Sequence, residues 1–265
     1  MDKIVRYDNE LVDRFLFTNY KSKMLDLFFA LILKVQKEKN TIKFNRNEIK
    51  NLIKTSNLTS AEFTEILKTL SSQTIRYKVT EDLIENDDVI AKKGDFIWES
   101  IFERLIEEKT QEYITIQIKD KFKGLFFDLK DNFSKHELDE IMNINSKYSK
   151  ILFMFLNRWR NYNKAVFVEW DNLLARLGTP ASYKTNDIIR TLDKSKEEIN
   201  GKTGLKFDYK TVKRGRKIEK IVFTINDYIK EIEDMLRDPN INSTQKKALE
   251  MILKRETAGK KEKLT

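Results

Sequence analysis

Apolar and polar positions along the chain follow a helical rhythm in some stretches and a two-residue rhythm in others, and one succession of rhythms occurs twice. Segment 21–39, KSKMLDLFFALILKVQKEK, has apolar residues at nearly every core-facing helical position and runs through lysines into a strand-like run, TIKF. Segment 146–164, SKYSKILFMFLNRWRNYNK, does the same and leads into AVFVEW. A shift of 124 residues superposes Leu27, Phe28 and Phe29 on Ile151, Leu152 and Phe153. The same shift brings Val35 onto Trp159, Ile42 onto Val166, Phe44 onto Val168 and Ile49 onto Leu173. One extra residue in the later turn then aligns Phe63 with Ile188 and Leu67 with Leu192. A fixed offset through a helix, a strand and a further helix points to duplication rather than to two unrelated amphipathic helices.

Each unit reads as a long helix, a short strand, a short helix, a turn, a longer helix and then strands. The short helices are expected to be capped by Asn45 and Asp171, whose side chains can accept from first-turn amides. The turns are KTSNLTS and LGTPASYK, the second broken by Gly178 and Pro180. The longer helices are expected over about 59–72 and about 182–199. The strands are TIRYKV and YITIQI in the first unit, LKFDYKTV and KIEKIVFTI in the second. This order is that of a winged helix, a helix-turn-helix with an added β wing, so the expected class is α+β with two tandem winged-helix domains. The expected boundaries are 1–140, 141–230 and a helical or flexible tail, 231–265.

Charge makes the two units unequal. The chain of 265 residues carries a formal +9, but residues 1–140 hold 24 Lys and Arg against 26 Asp and Glu, while residues 141–265 hold 27 against 16. Four cations, Lys213, Arg214, Arg216 and Lys217, surround Gly215 between the last two strands. A turn does not need four mutually repelling charges, and a phosphate backbone would compensate them. In the preceding helix, Ile188, Ile189, Leu192 and Ile199 mark the buried face. Projection then sends Tyr183, Asp187, Arg190 and Lys194 outward, with Lys184, Thr185 and Asn186 in or near the first turn, where recognition helices meet base edges. Arg can fork to guanine, Asn can pair with adenine and Asp can accept from cytosine. Double-stranded DNA is the expected partner.

The first unit is less well equipped. Phe63, Ile66, Leu67 and Leu70 face its core, and Ala61, Glu65 and Lys68 point outward. Ser56, Asn57, Thr59, Ser60 and Lys68 are its candidate DNA contacts. Between its strands lies an acid-rich insertion, residues 81–111, which also carries Phe96, Ile97, Trp98, Ile101 and Phe102. An added strand, a protein interface and DNA contact all stay open there.

The stretches IVRYDNELV, LDLFFALILKVQ and above all INSKYSKILFMFLNRWR resemble the iteron-binding plasmid replication initiators, or Rep proteins, over about residues 3–230. Ser146, Lys147, Tyr148, Ser149, Trp159 and Arg160 match that family's Ser-Lys/Arg-Tyr-Ser opening and Trp-Arg end. The resemblance implies a protein that binds origin direct repeats, opens adjacent AT-rich DNA and recruits the host replication initiator and replicative helicase. It also implies that a dimer formed through the first unit represses its own transcription at an operator inverted repeat. The second unit would make the principal groove contact. A winged-helix regulator without initiator activity, and a nuclease or primase on DNA-binding domains, are the alternatives.

Catalytic chemistry finds little support. There is no cysteine, so thiolate chemistry and disulfides are excluded. The single histidine, His136, is expected at the surface or a helix cap near the junction, and a paired-histidine metal nuclease needs two. NGKTG at 200–204 has Lys196 where a phosphate-binding loop needs its first glycine. No cofactor or metal is expected, and no enzymatic activity. No apolar run reaches the ~18–20 residues of a membrane helix, and MDKIVRYDNELVD lacks the apolar core of a signal peptide, so the expected location is the cytoplasm.

Overall fold

The computed structural model describes residues 3–13, 20–38, 41–53, 59–127 apart from 73, 80, 86 and 111, 129, 133–160, 165–227, 232, 235–239, 241–243, 245–247 and 249–251. The chain divides into two compact units, Val5–Ser134 and Met1–Ile4 with Lys135–Thr265.

The first unit runs β1 (Ile4–Asp8), α1 (Glu10–Asp13), α2 (Ser22–Glu38), β2 (Thr41–Asn45), α3 (Arg46–Leu52), α4 (Ser60–Ser72), β3 (Thr74–Lys78), β4 (Leu83–Glu85), β5 (Asp88–Ala91), β6 (Phe96–Ser100), β7 (Phe102–Glu107), β8 (Tyr113–Ile118) and a 3-10 helix, Asp120–Leu125. Its centre is α2, buried without interruption from Met24 to Leu33. A helix apolar on all sides must be covered on all sides. Phe28 meets Tyr20, Phe29, Phe102 and Phe126 edge-on at 5.3–6.3 Å. Asn45 caps α3 as expected, its Oδ1 accepting from the Asn47 N–H at 2.8 Å.

The second unit continues with β9 (Phe133–Glu137), α5 (Leu138–Asn143), α6 (Lys147–Asn157), β10 (Ala165–Glu169), α7 (Trp170–Leu177), α8 (Thr185–Lys202), β11 (Leu205–Arg214) and β12 (Lys217–Asp227). Here α6 is buried without a break from Ser149 to Asn157, and Phe223 of β12 meets Phe155, Phe207 and Tyr209 at 5.9–6.4 Å. The duplication is visible in the boundaries. β2 and β10 lie 124 residues apart at both ends, and α4 and α8 begin 125 apart, the extra residue falling in the turn. The three-stranded sheets also match, ordered β2–β8–β7 and β10–β12–β11, with every pairing antiparallel.

Several sequence expectations need correction. TIRYKV does not pair with YITIQI: β3 pairs with β6, and the partner of β8 is β7, from within the insertion. The insertion thus supplies a wing strand, a second strand for β3, and the separate hairpin β4–β5. Asp171 is not a cap. Glu169 occupies that position, and Asp171 lies in the first turn of α7, where its charge suits the helix dipole. Helix α6 ends at Asn157, and α8 begins three residues later than expected, leaving Tyr183 and Lys184 ahead of the helix. His136 is neither at the surface nor a cap. It is buried on β9, 5.7 Å from the Phe153 ring and edge-on to it, and burial lowers its pKa to about 3. In the tail, 235–237 and 245–247 are helical, and 252–265 lie outside the described residues. No helix among the described residues is long and apolar enough to cross a membrane.

Candidate nucleic-acid interface

In the second unit α8 takes its orientation from its buried stripe, Ile188, Leu192, Ser195 and Ile199. With that stripe inward, Thr185, Asn186, Arg190 and Lys194 are exposed, as are Tyr183 and Lys184 just before the helix. The N-terminal turn is set by Asp187, whose Oδ2 accepts the Lys184 N–H at 3.0 Å. Its other oxygen lies 3.9 Å from Arg190 Nη1. Asp187 therefore holds the helix start and leans on Arg190, whose side chain is 70% exposed.

The wing is built by β11 and β12, joined through the two-residue loop Gly215–Arg216 between the paired Arg214 and Lys217. Gly215 has φ +62°, the left-handed conformation that such hairpin loops require at their first position. A bulge falls beside Val212 and Lys213 and leaves Glu219 as the additional residue on β12. A bulge sharpens local twist, so it re-aims the tip. Lys213, Arg214, Arg216 and Lys217 are all exposed there. Only Arg214 has an ion-pair partner among the described residues, Glu219 at 3.7 Å.

Helix and wing bound a common groove of about 850 Å³. Thr185 and Asn186 line it from α8, and Lys213 and Arg216 from the wing. Lys194 lies on another side of the helix, and Tyr183, ahead of the helix, stands toward Tyr148. Lys194 lines a groove between the α6 start and α8 with Tyr148 and Thr191, and the Tyr183 ring lies 6.4 Å from that of Tyr148. Burial and the Tyr183 contact push the Tyr148 hydroxyl up to about 12. Arg190 lines neither groove.

In the first unit Ser56 and Asn57 lie outside the described residues. Thr59 is committed locally: its N–H donates to Glu62 Oε2 at 2.9 Å, and its hydroxyl accepts the Glu62 N–H at 3.2 Å. The Ser60 carbonyl accepts from Arg46 Nη1 at 3.1 Å, while its side chain and that of Lys68 are exposed. The first unit's wing is the β7–β8 hairpin, and its tip carries Glu108, Lys109 and Glu112, with Glu108 paired to Lys43.

With this geometry in view, the sequence matches two family models, "Initiator Replication protein, WH1" over residues 4–157 and "Initiator Rep protein, WH2" over residues 169–225. The chain belongs to the initiator replication protein family. Its two winged helices are the WH1 and WH2 domains of that family. Among solved structures it is similar to the Pi initiator protein in complex with iteron DNA, at a TM-score of 0.63 and 18% identity, covering 86% of this chain and 98% of that one. It is also similar to domains 2 and 3 of RctB, at 0.50 and 12%, covering 78% and 82%. At these identities the likeness establishes the shared fold. No curated protein matches the sequence.

The family's opening motif acts as a packing device in this initiator. Ser146 caps α6 by accepting the Ser149 N–H at 3.5 Å, and Ser149 Oγ hydrogen-bonds to Ser195 Oγ of α8 at 3.1 Å. Glu198 of α8 receives the Asn145 N–H at 2.6 Å and the Ser146 N–H at 3.2 Å. Burial pushes the Glu198 carboxyl up, but donors from Lys202, Asn145, Ser149 and Ser146 outweigh it and leave its pKa below the ordinary value. Arg160 is likewise engaged within the unit. It pairs with Glu140 at 3.4 Å, and Glu140 also accepts the Gly204 N–H at 3.0 Å. A Cβ at Gly204 would meet the Arg160 guanidinium, so that side-chain end would have to shift.

Sequence reasoning missed Arg46. It is 4% exposed, lies over the Phe63 ring at 5.0 Å and pairs with Glu107 of β7, which also accepts from the Thr64 hydroxyl at 2.8 Å. The cluster ties the α4 start to the first wing. No local signal marks it, since an arginine one residue after a cap reads as surface.

Proposed function

We propose that this protein is a sequence-specific double-stranded DNA-binding initiator of plasmid replication that reads direct repeats at an origin. The observation that carries the reading is the groove of the second unit, where Asn186 and Thr185 of α8 face Lys213 and Arg216 of the wing. A recognition helix beside a cationic hairpin meets a duplex in two ways at once: base edges from the helix, phosphates from the wing. The Pi initiator's structure with iteron DNA supports direct repeats as the target class. Arg190 and Asn186 are the proposed base readers. Asp187, engaged with the Lys184 amide, acts by holding Arg190. Tyr183, Lys184, Lys194 and the four wing cations supply flanking contacts, and Thr59, Ser60 and Lys68 accessory ones.

We further propose self-association through the first unit. Ile84, Val89 and Ile90 on β4–β5 and Phe96 and Trp98 on β6 are 46–62% exposed, an apolar surface of the kind that marks protein contact. Such a dimer would serve autorepression at an inverted repeat, and the host initiator and helicase would be recruited by the origin-bound form, in the cytoplasm. Turnover is not part of the reading.

The test measures binding of the purified full chain to duplexes carrying tandem repeats from the replicon's own origin, against scrambled duplexes of equal length. Footprints spaced by about two helical turns support the reading. Equal affinity for both duplexes sinks it. Incubation with supercoiled DNA and magnesium should yield neither nicks nor a covalent adduct.

A further inference from the structure

The groove between α8 and the wing is not cationic along its whole length. Toward the tip it is lined by Asn186, Lys213 and Arg216, while its inner end carries two carboxylates, Asp193 of α8 and Asp208 of β11, beside Lys196 and Lys210. Each is engaged. Asp193 Oδ1 accepts from the Tyr209 hydroxyl at 2.6 Å. Asp208 Oδ1 binds Lys196 Nζ at 2.6 Å and also accepts the Tyr209 N–H at 2.7 Å. The ammonium of Lys196, one helical turn beyond Asp193 and lining the groove, is thereby ion-paired. The Asp208 side chain is 61% exposed, so nothing in the packing requires a carboxylate there rather than a neutral amide.

Resting on the duplex-binding reading above, we propose that Asp208 is a specificity determinant that works by repulsion. It offsets Lys196 and weakens the phosphate track at the inner end of the groove, where Lys210 is the remaining cation. A nonspecific complex samples many registers and gains from any cation a phosphate can reach, whereas the specific register already has its phosphates against the wing tip. Removing reachable cations therefore costs nonspecific binding more than specific binding and widens the ratio between them. Tyr209 is a positioning residue here, since it fixes Asp193 and Asp208 through its hydroxyl and its amide. The Tyr209 pKa is raised, first by burial and then by the Asp193 hydrogen bond.

The test is a double-mutant cycle on the full chain, with salt titrations on a random-sequence duplex and on the preferred repeat. Asp208→Asn keeps the Oδ1 acceptor and frees Lys196. It should steepen the nonspecific log–log salt slope by about one unit and raise nonspecific affinity roughly five-fold at physiological salt, with a smaller gain on the repeat. Lys196→Gln alone should leave the slope unchanged, and the double variant should return to the wild-type slope. If Lys196→Gln alone flattens the slope as much as removal of a wing cation, Lys196 already holds a phosphate and the proposal is wrong. It is equally wrong if Asp208→Asn leaves the nonspecific slope unchanged while the wild type binds. Failure of the wild type to bind any duplex overturns the duplex-binding reading itself, and this proposal with it.

Discussion

The two winged helices share an element order and a sheet order, yet they present opposite surfaces where DNA would be met. In the second, α8 runs directly into β11 and the hairpin tip is Lys213–Lys217. In the first, β3 to β6 intervene between α4 and the wing strand β7, and the tip carries Glu108 and Glu112 with a single cation, Lys109. The offset that superposes the helices brings Arg190 of the second unit onto Glu65 of the first. A shared backbone therefore does not carry a shared function. The fold sets where a helix end and a hairpin tip stand, and the charge placed there decides whether a phosphate is attracted.

The largest expected effect tests what holds the first unit together. Glu107→Gln removes the partner of the buried Arg46 and should destabilise that unit by roughly 3–5 kcal/mol, because the guanidinium stays buried without its counter-charge. The second unit has tryptophan, Trp170, at the position equivalent to Arg46 and should be untouched. Thermal unfolding should then show one transition moving down while the other holds. A common shift of both would mean that the units unfold together.

The wing tips offer the most direct contrast in binding. Replacing Lys213, Arg214, Arg216 and Lys217 with glutamine should lower nonspecific duplex affinity on the order of 10²–10³-fold and flatten the salt slope by three to four units, at about 0.9 per phosphate. Replacing Glu108 and Glu112 with glutamine at the other tip should leave affinity unchanged or slightly raised. Comparable losses from both tips would erase the asymmetry.

A smaller effect separates reading from gripping. Arg190→Ala should cost about 1–3 kcal/mol on the preferred repeat and relax discrimination at one or two base pairs. Glu65→Ala should do neither. Equal loss on all sequences would make Arg190 a backbone contact.

The smallest effect is a pH response confined to the second unit, which holds the only histidine. The pKa of His136 falls from 6.5 to about 3 on folding. Between those values the unfolded chain binds the proton and the folded one does not, so stability rises with pH and is lost as pH falls below about 6.5. The slope approaches about 1.4 kcal/mol per pH unit, or about 2 kcal/mol by pH 5. His136→Gln should flatten the profile over pH 5–6.5 in urea titrations. A profile that keeps its slope in that variant assigns the response to other groups.

Much of this was legible in sequence because it rests on local rules. The continuous apolar faces of α2 and α6, the Asn45 cap and the Lys-Arg-Gly-Arg-Lys tip depend on residues a few positions apart. Most errors came where partners are distant. TIRYKV reads as a strand from its own residues, but nothing in it says that it pairs with Phe96–Ser100 rather than with YITIQI. His136 reads as polar, yet β9 places it against Phe153, where neither ring nitrogen can carry charge cheaply. Asp171 has the side chain of a cap but sits two residues past that position, where only a helix-dipole contribution is left to it.

By itself the sequence determined that the chain holds two copies of one helix-and-wing plan, and that the cationic copy is the second. Periodicity and charge are properties of the chain, and they survive whatever the strands pair with. Only the tertiary structure decided which strand completes the first wing, that Arg46 is an internal tie, and that Asp208 pairs with Lys196. The last two depend on groups brought together across 61 and 12 positions of chain, and such proximity follows from packing that no short window of sequence contains.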